Sequence, residues 1–133
     1  MNAAKSLLKV LTVLVATLGV SLMSCHFLEN PRSSFATYED AHSAGMFAKG
    51  WLPAYLPQSA YDIRERHNLD SNRVQASFKF TPSDTKSVRD VCRLVAESSA
   101  TGAEFICPWH EMTNLMIRLS ADGAGQLETH AGD

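Results

Sequence analysis

A chain of 133 residues with 12 lysines and arginines against 14 aspartates and glutamates has a net charge of −2. That length suits one modest domain. The sign is wrong for a phosphate-backbone partner, and the basic residues read as scattered along the sequence, so composition argues against nucleic acid.

Taken in order, residues 1–24 hold Lys5 and Lys9 followed by an apolar run over residues 10–23. About 14 residues suit the core of a signal peptide and fall short of the roughly 20 that a membrane-spanning helix needs. The run closes on Leu22, Met23, Ser24 and Cys25, which resembles the lipobox of bacterial lipoproteins. That resemblance implies cleavage before Cys25, acylation of its thiol with diacylglycerol and, usually, acylation of the new amino group with a fatty acid such as palmitate. Ordinary secretion and an uncleaved anchor are the rival readings. Cleavage would leave 109 residues with ten basic and 14 acidic groups. The mature domain is then acidic, and its partner in the membrane is lipid held through Cys25. His26 follows the cysteine, in place of the aspartate that resembles an inner-membrane retention signal, which favours the outer membrane of a bacterial cell envelope.

Residues 25–36, with Asn30, Pro31, Arg32, Ser33 and Ser34, read as the lipidated cysteine and a flexible tether. One domain is expected over 37–130, with a tail at 131–133. Thr37 is placed to cap a helix over residues 38–49, along which Tyr38, Ala41, Ala44, Gly45 and Ala48 recur at helical spacing until Gly50. Trp51, Leu52, Pro53, Ala54, Tyr55, Leu56 and Pro57 follow. Two prolines bar regular structure there, so large apolar side chains are expected to hold the loop over one edge of the core.

Val74, Ala76, Phe78 and Phe80 alternate with Arg73, Gln75, Ser77 and Lys79, the period of a strand with one buried face. Residues 59–69 pair with it as a hairpin across Asp70, Ser71 and Asn72; a short helix capped by Ser59 is the alternative. A loop of two or four residues puts Tyr61, Ile63, Glu65 and His67 on the face of Phe78 and Phe80, and buries fewer charges than a three-residue loop. Pro82 and Asp84 then open a predicted helix over residues 82–98, with Val88, Val91, Cys92 and Val95 as its apolar stripe. A strand is expected over residues 112–120 and a weak edge strand over 126–129. The fold class implied is α+β: a small antiparallel sheet of three to four strands with two helices packed against one face, after an N-terminal lipoprotein signal peptide. With Cys25 lipidated, Cys92 and Cys107 remain for a disulfide, which an exported chain permits. Two free buried thiols are the alternative.

Ala44, Gly45, Gly50, Trp51, Leu52, Pro53, Leu56, Pro57, Ser59, Ala60, Asp62, Ile63, Glu65, His67, Leu69, Asp70, Asn72 and Phe78 resemble the pattern of small, uncharacterised bacterial proteins that share the YbbD head domain. Phe105, Cys107 and Trp109 extend it weakly. The resemblance implies a small α+β domain, often exported, and supplies no reaction.

Glycine-rich phosphate loops, HExxH, GxSxG and paired CxxC motifs are missing from the sequence. His26, His42, His67, His110 and His130 have no metal-ligand spacing among them, so neither metal nor cofactor is called for. Glu65 with His67 is the pair that strand geometry places together, and with Asp70 it forms the candidate for a small envelope enzyme. Its structural alternative is a polar rim tying the hairpin to the loop at Trp51. Trp51, Tyr55 and Trp109 are core packing or a partner-binding patch. The favoured function is a non-enzymatic, membrane-tethered binding or accessory module with an unknown protein partner in the envelope. An immunity or inhibitor protein against an exported toxin or hydrolase is the second reading.

Overall fold

A computed structural model describes residues 31–110 and 113–131. The expected signal segment, Cys25 and the start of the expected tether lie outside the described residues. The described part is mostly β: seven strands in one antiparallel sheet, ordered β1-β2-β3-β7-β6-β5-β4. These are β1 (Arg32–Thr37), β2 (Tyr61–Asn68), β3 (Arg73–Lys79), β4 (Arg93–Ser98), β5 (Gly102–Pro108), β6 (Thr113–Leu119) and β7 (Ala124–Ala131). Two short helices accompany them, α1 (Tyr38–Ser43) and α2 (Lys86–Val91). The expected α+β fold with three to four strands is therefore wrong, because three further segments pair into the sheet.

The first is β1. Residues 32–36, expected in the tether, form an edge strand on β2, with Ser33 opposite Glu65 and Phe35 opposite Ile63. Its alternation of polar and inward residues is short and carries two serines, a weak signal until β2 supplies the ladder. The second is β4. The predicted helix over residues 82–98 is limited to Lys86–Val91, and Cys92 is already extended at φ −102° and ψ 151°. Only Val88 of the stripe is buried, while Val91 and Val95 are 46% and 47% exposed. Val88 and Val91 stay in the short helix, and Val95 belongs to an edge strand that ladders with β5. The third is β5, since Gly102–Pro108, for which no strand is expected, pairs with both β4 and β6. β7 is expected, but as a weak edge strand. It is central, hydrogen-bonded to both β3 and β6. Gly125 makes that packing possible, since a Cβ there would lie 2.2 Å from the Phe78 ring.

α1 is also shorter than predicted. Thr37 and Asp40 form a capping box, but Gly45 takes φ +74° and turns replace helix before Gly50. The 51–57 loop behaves as expected: Leu52, Pro53, Leu56 and Pro57 are fully buried. Together with Ala41, Met46, Phe80 and Val88, they cover one face of the sheet, into which Ile63, Val74, Phe78, Phe105, Leu115 and Ile117 project. This is the inner face. Cys92 and Cys107 form the expected disulfide, 15 residues apart in sequence, and it ties the end of α2 to β5. Among the described residues no helix is long and apolar enough to cross a membrane.

Candidate functional site

The β2–β3 hairpin forms with a four-residue loop, since Asn68 pairs with Arg73. Its turn is held by Asn68, whose Oδ1 accepts from the backbone N–H of Ser71 at 2.8 Å and of Asp70 at 3.1 Å. The register buries Ile63, Glu65 and His67 beside Val74, Ala76 and Phe78, as the alternation requires. Tyr61 departs from it. A bulge between Tyr61 and Arg64, with Asp62 at φ +47°, turns Tyr61 to the opposite face beside Lys79, where it is 48% exposed.

Glu65 is 2% and His67 8% exposed, and they are the buried polar residues of the core. His67 Nδ1 lies 2.6 Å from Glu65 Oε1, a distance that requires one proton between them. Trp51 stacks on the imidazole with ring centroids 3.7 Å apart and planes 13° from parallel. Backbone bonds to Met46 O hold Trp51 and Leu52 in place at 3.0 and 3.2 Å. Burial pushes the Glu65 carboxyl above its usual range, and the bond and charge of His67 offset part of that rise. Glu65 Oε2 is buried without a hydrogen-bond partner, so the pair satisfies only half of the carboxyl.

The other expected site residues lie around this stack or away from it. Tyr55 donates its hydroxyl to Pro108 O at 2.9 Å, and burial raises its phenol far above the ordinary value. Trp109 packs against the core and sits 4.8 Å, centroid to centroid, from His110; its indole Nε1 is buried without a partner. His110 approaches Gly50, beside Trp51. Asp70 is exposed at the hairpin turn, so the structure brings Glu65, His67 and Trp51 together and leaves Asp70 out. Among the described residues, no cluster of three or more His, Cys, Asp or Glu could hold a metal ion.

Among the described residues, no helix or loop of the core covers the opposite, outer face, and this face gathers charges that the sequence hides. Alternation and cross-strand register put Arg32 of β1, Arg64 and Arg66 of β2, Arg73 and Lys79 of β3, Arg93 of β4 and Arg118 of β6 on it. The basic residues are thus not scattered in space. Among the described residues only Asp62, Glu104 and Glu128 oppose them there: Asp62 meets Arg64 at 3.2 Å and Lys79 at 3.6 Å, and Arg118 meets Glu128 at 2.9 Å and Glu104 at 3.6 Å. A concavity of about 490 Å³ opens on this face, lined by Arg32, Ser34, Arg64, Arg66, Gln75, Ser77, Arg118, Gln126 and Glu128 among others.

Residues 29–79 match the family model of the YbbD head domain, which bears out the resemblance read from the sequence. The matched segment contains β1, α1, the Trp51 loop and the β2–β3 hairpin, and with them the whole Glu65–His67–Trp51 stack. No curated protein and no solved structure matches the chain.

Proposed function

We propose that the protein is a bacterial lipoprotein of the cell envelope, anchored by acylated Cys25, whose domain works as a non-enzymatic binding or accessory module. The observation that supports this over an envelope enzyme is the packing of its candidate catalytic trio. Glu65 and His67 are buried, with Trp51 stacked on the imidazole, while Asp70 stands exposed at the turn; a reaction needs its acid, base and substrate to converge in an accessible cleft. The stack reads instead as a polar tie between β2 and the Trp51 loop. Attachment comes from Leu22, Met23, Ser24 and Cys25, and the residue after the cysteine favours the outer membrane.

Two measurements test the two halves of this reading. Labelled fatty acid should enter the wild type and not Cys25→Ser, and equal labelling of both overturns the anchor. Envelope pull-down with Glu65→Ala and His67→Ala should retain whatever the wild type retains once the variants are folded; stable variants that lose it would show that the stack itself is the binding site.

A further inference from the structure

We infer that the outer face of the sheet is a docking surface for a carboxylate-rich segment of another protein. This rests on the reading of the domain as a binding module and not on lipidation. The charge distribution carries it. Seven of the ten basic residues among the described residues lie on the outer face with three acidic ones, whereas the rest of the described domain holds Lys49, Lys86 and Arg89 against Glu39, Asp40, Glu65, Asp70, Asp84, Asp90, Glu97 and Asp122. A domain from an acidic chain is therefore strongly two-faced, which orients an anionic partner as it approaches.

The concavity selects among anionic partners. Of its four arginines, Arg64 and Arg118 already face carboxylates, while Arg32 and Arg66 have none among the described residues; Arg66 Nη2 donates only to Gln75 Oε1, at 3.1 Å. Guanidinium forks match carboxylates two bonds at a time. Ser34, Ser77, Gln75 and Gln126 beside them supply both donors and acceptors, which suits a peptide backbone. Among the described residues no aromatic side chain lines the concavity, so they offer neither bases nor sugar rings a stacking platform. A bilayer surface is flat and is usually gripped by protruding apolar side chains among lysines. A recessed floor of arginine, serine and glutamine is a poor match for it and a good one for an acidic strand or loop.

The test uses the full chain in detergent micelles and a labelled oligo-glutamate peptide, with oligo-glutamine of the same length, heparin, single-stranded DNA and anionic phosphatidylglycerol vesicles as competitors. Oligo-glutamate should bind, weaken as salt rises and raise the melting temperature of the wild type by mass action. Arg32→Gln with Arg66→Gln should lose about tenfold or more in affinity with an unchanged melting temperature, whereas Lys49→Gln with Lys86→Gln, the same charge change elsewhere, should lose little. Equal losses in the two double variants, stronger binding of heparin, DNA or vesicles, or no peptide-induced rise in melting temperature each overturn the site. A chain that ignores oligo-glutamate but still retains an envelope protein keeps the module reading and loses this surface; one that retains nothing in either assay loses both.

Discussion

The two faces of the sheet divide the labour of the domain. On the inner face four of the six alternate residues of β2 and β3 are apolar, and the other two, Glu65 and His67, are buried, with Trp51 stacked on the imidazole. On the outer face the residues between them are Arg64, Arg66, Arg73, Gln75, Ser77 and Lys79, all exposed. One register thus builds both the core and the charged surface. Substitutions on the inner face are expected to change folding with little direct effect on a partner, and those on the outer face to do the reverse.

Adjacent residues of β3 give the largest contrast. Phe78 is 3% exposed and lies against Gly125, while Lys79 points outward. Phe78→Ala should lower unfolding free energy by about 3–5 kcal/mol, and Lys79→Ala by less than roughly 0.5 kcal/mol. Denaturant titration of both checks this. Similar effects at the two positions would mean that the faces are wrongly assigned.

Next in size is the disulfide, which fastens the inner face's cover to β5. Replacing Cys92 and Cys107 by serine should lower stability by about 3 kcal/mol in the chain-entropy account of a 15-residue loop. Alkylation of the denatured, unreduced protein should leave both cysteines unmodified, and ready reaction at both would remove the crosslink from the comparison.

The two regions also differ in how far the sequence exposes them. The hairpin and its buried face are legible because both strands are consecutive and the turn is local, so period two and loop length fix which side Glu65 and His67 take. The bulge that turns Tyr61 outward leaves no comparable signal, as it depends on Asp62 adopting a left-handed conformation. Between residues 82 and 108 the reading of helix and strand fails, although the strand expected over residues 112–120 forms as β6. Val88, Val91, Cys92 and Val95 fit a helical stripe, and only pairing with β5 makes the second half a strand. The outer cations show the same limit: Arg64, Arg66, Arg73 and Lys79 share a face within the hairpin, but Arg32, Arg93 and Arg118 join it only through β1, β4 and β6. Charge that is dispersed in sequence becomes a patch through nonlocal pairing.

The smallest expected effect concerns Glu65, where the two faces meet in one question: whether the buried carboxylate serves the fold or strains it. Burial raises its pKa in the folded state above the unfolded value of roughly 4.3, and His67 only partly offsets this. The protonated form is thus the one the fold prefers. The stability that this group contributes is fully present below the unfolded pKa and is lost as pH rises through the higher folded value. Glu65→Gln keeps an oxygen to accept from His67 and removes the charge. It should melt a few degrees above the wild type at neutral pH, with the gap closing as pH falls toward the unfolded pKa. Taking the difference between the two proteins cancels the exposed carboxylates, which titrate in both. Glu65→Ala should instead melt lower at either pH, because it leaves the buried imidazole without its partner and opens a void beside it. If Glu65→Gln is the less stable protein at neutral pH, the ion pair with His67 outweighs desolvation, and the stack under Trp51 holds the fold through charge and not merely through packing and one hydrogen bond.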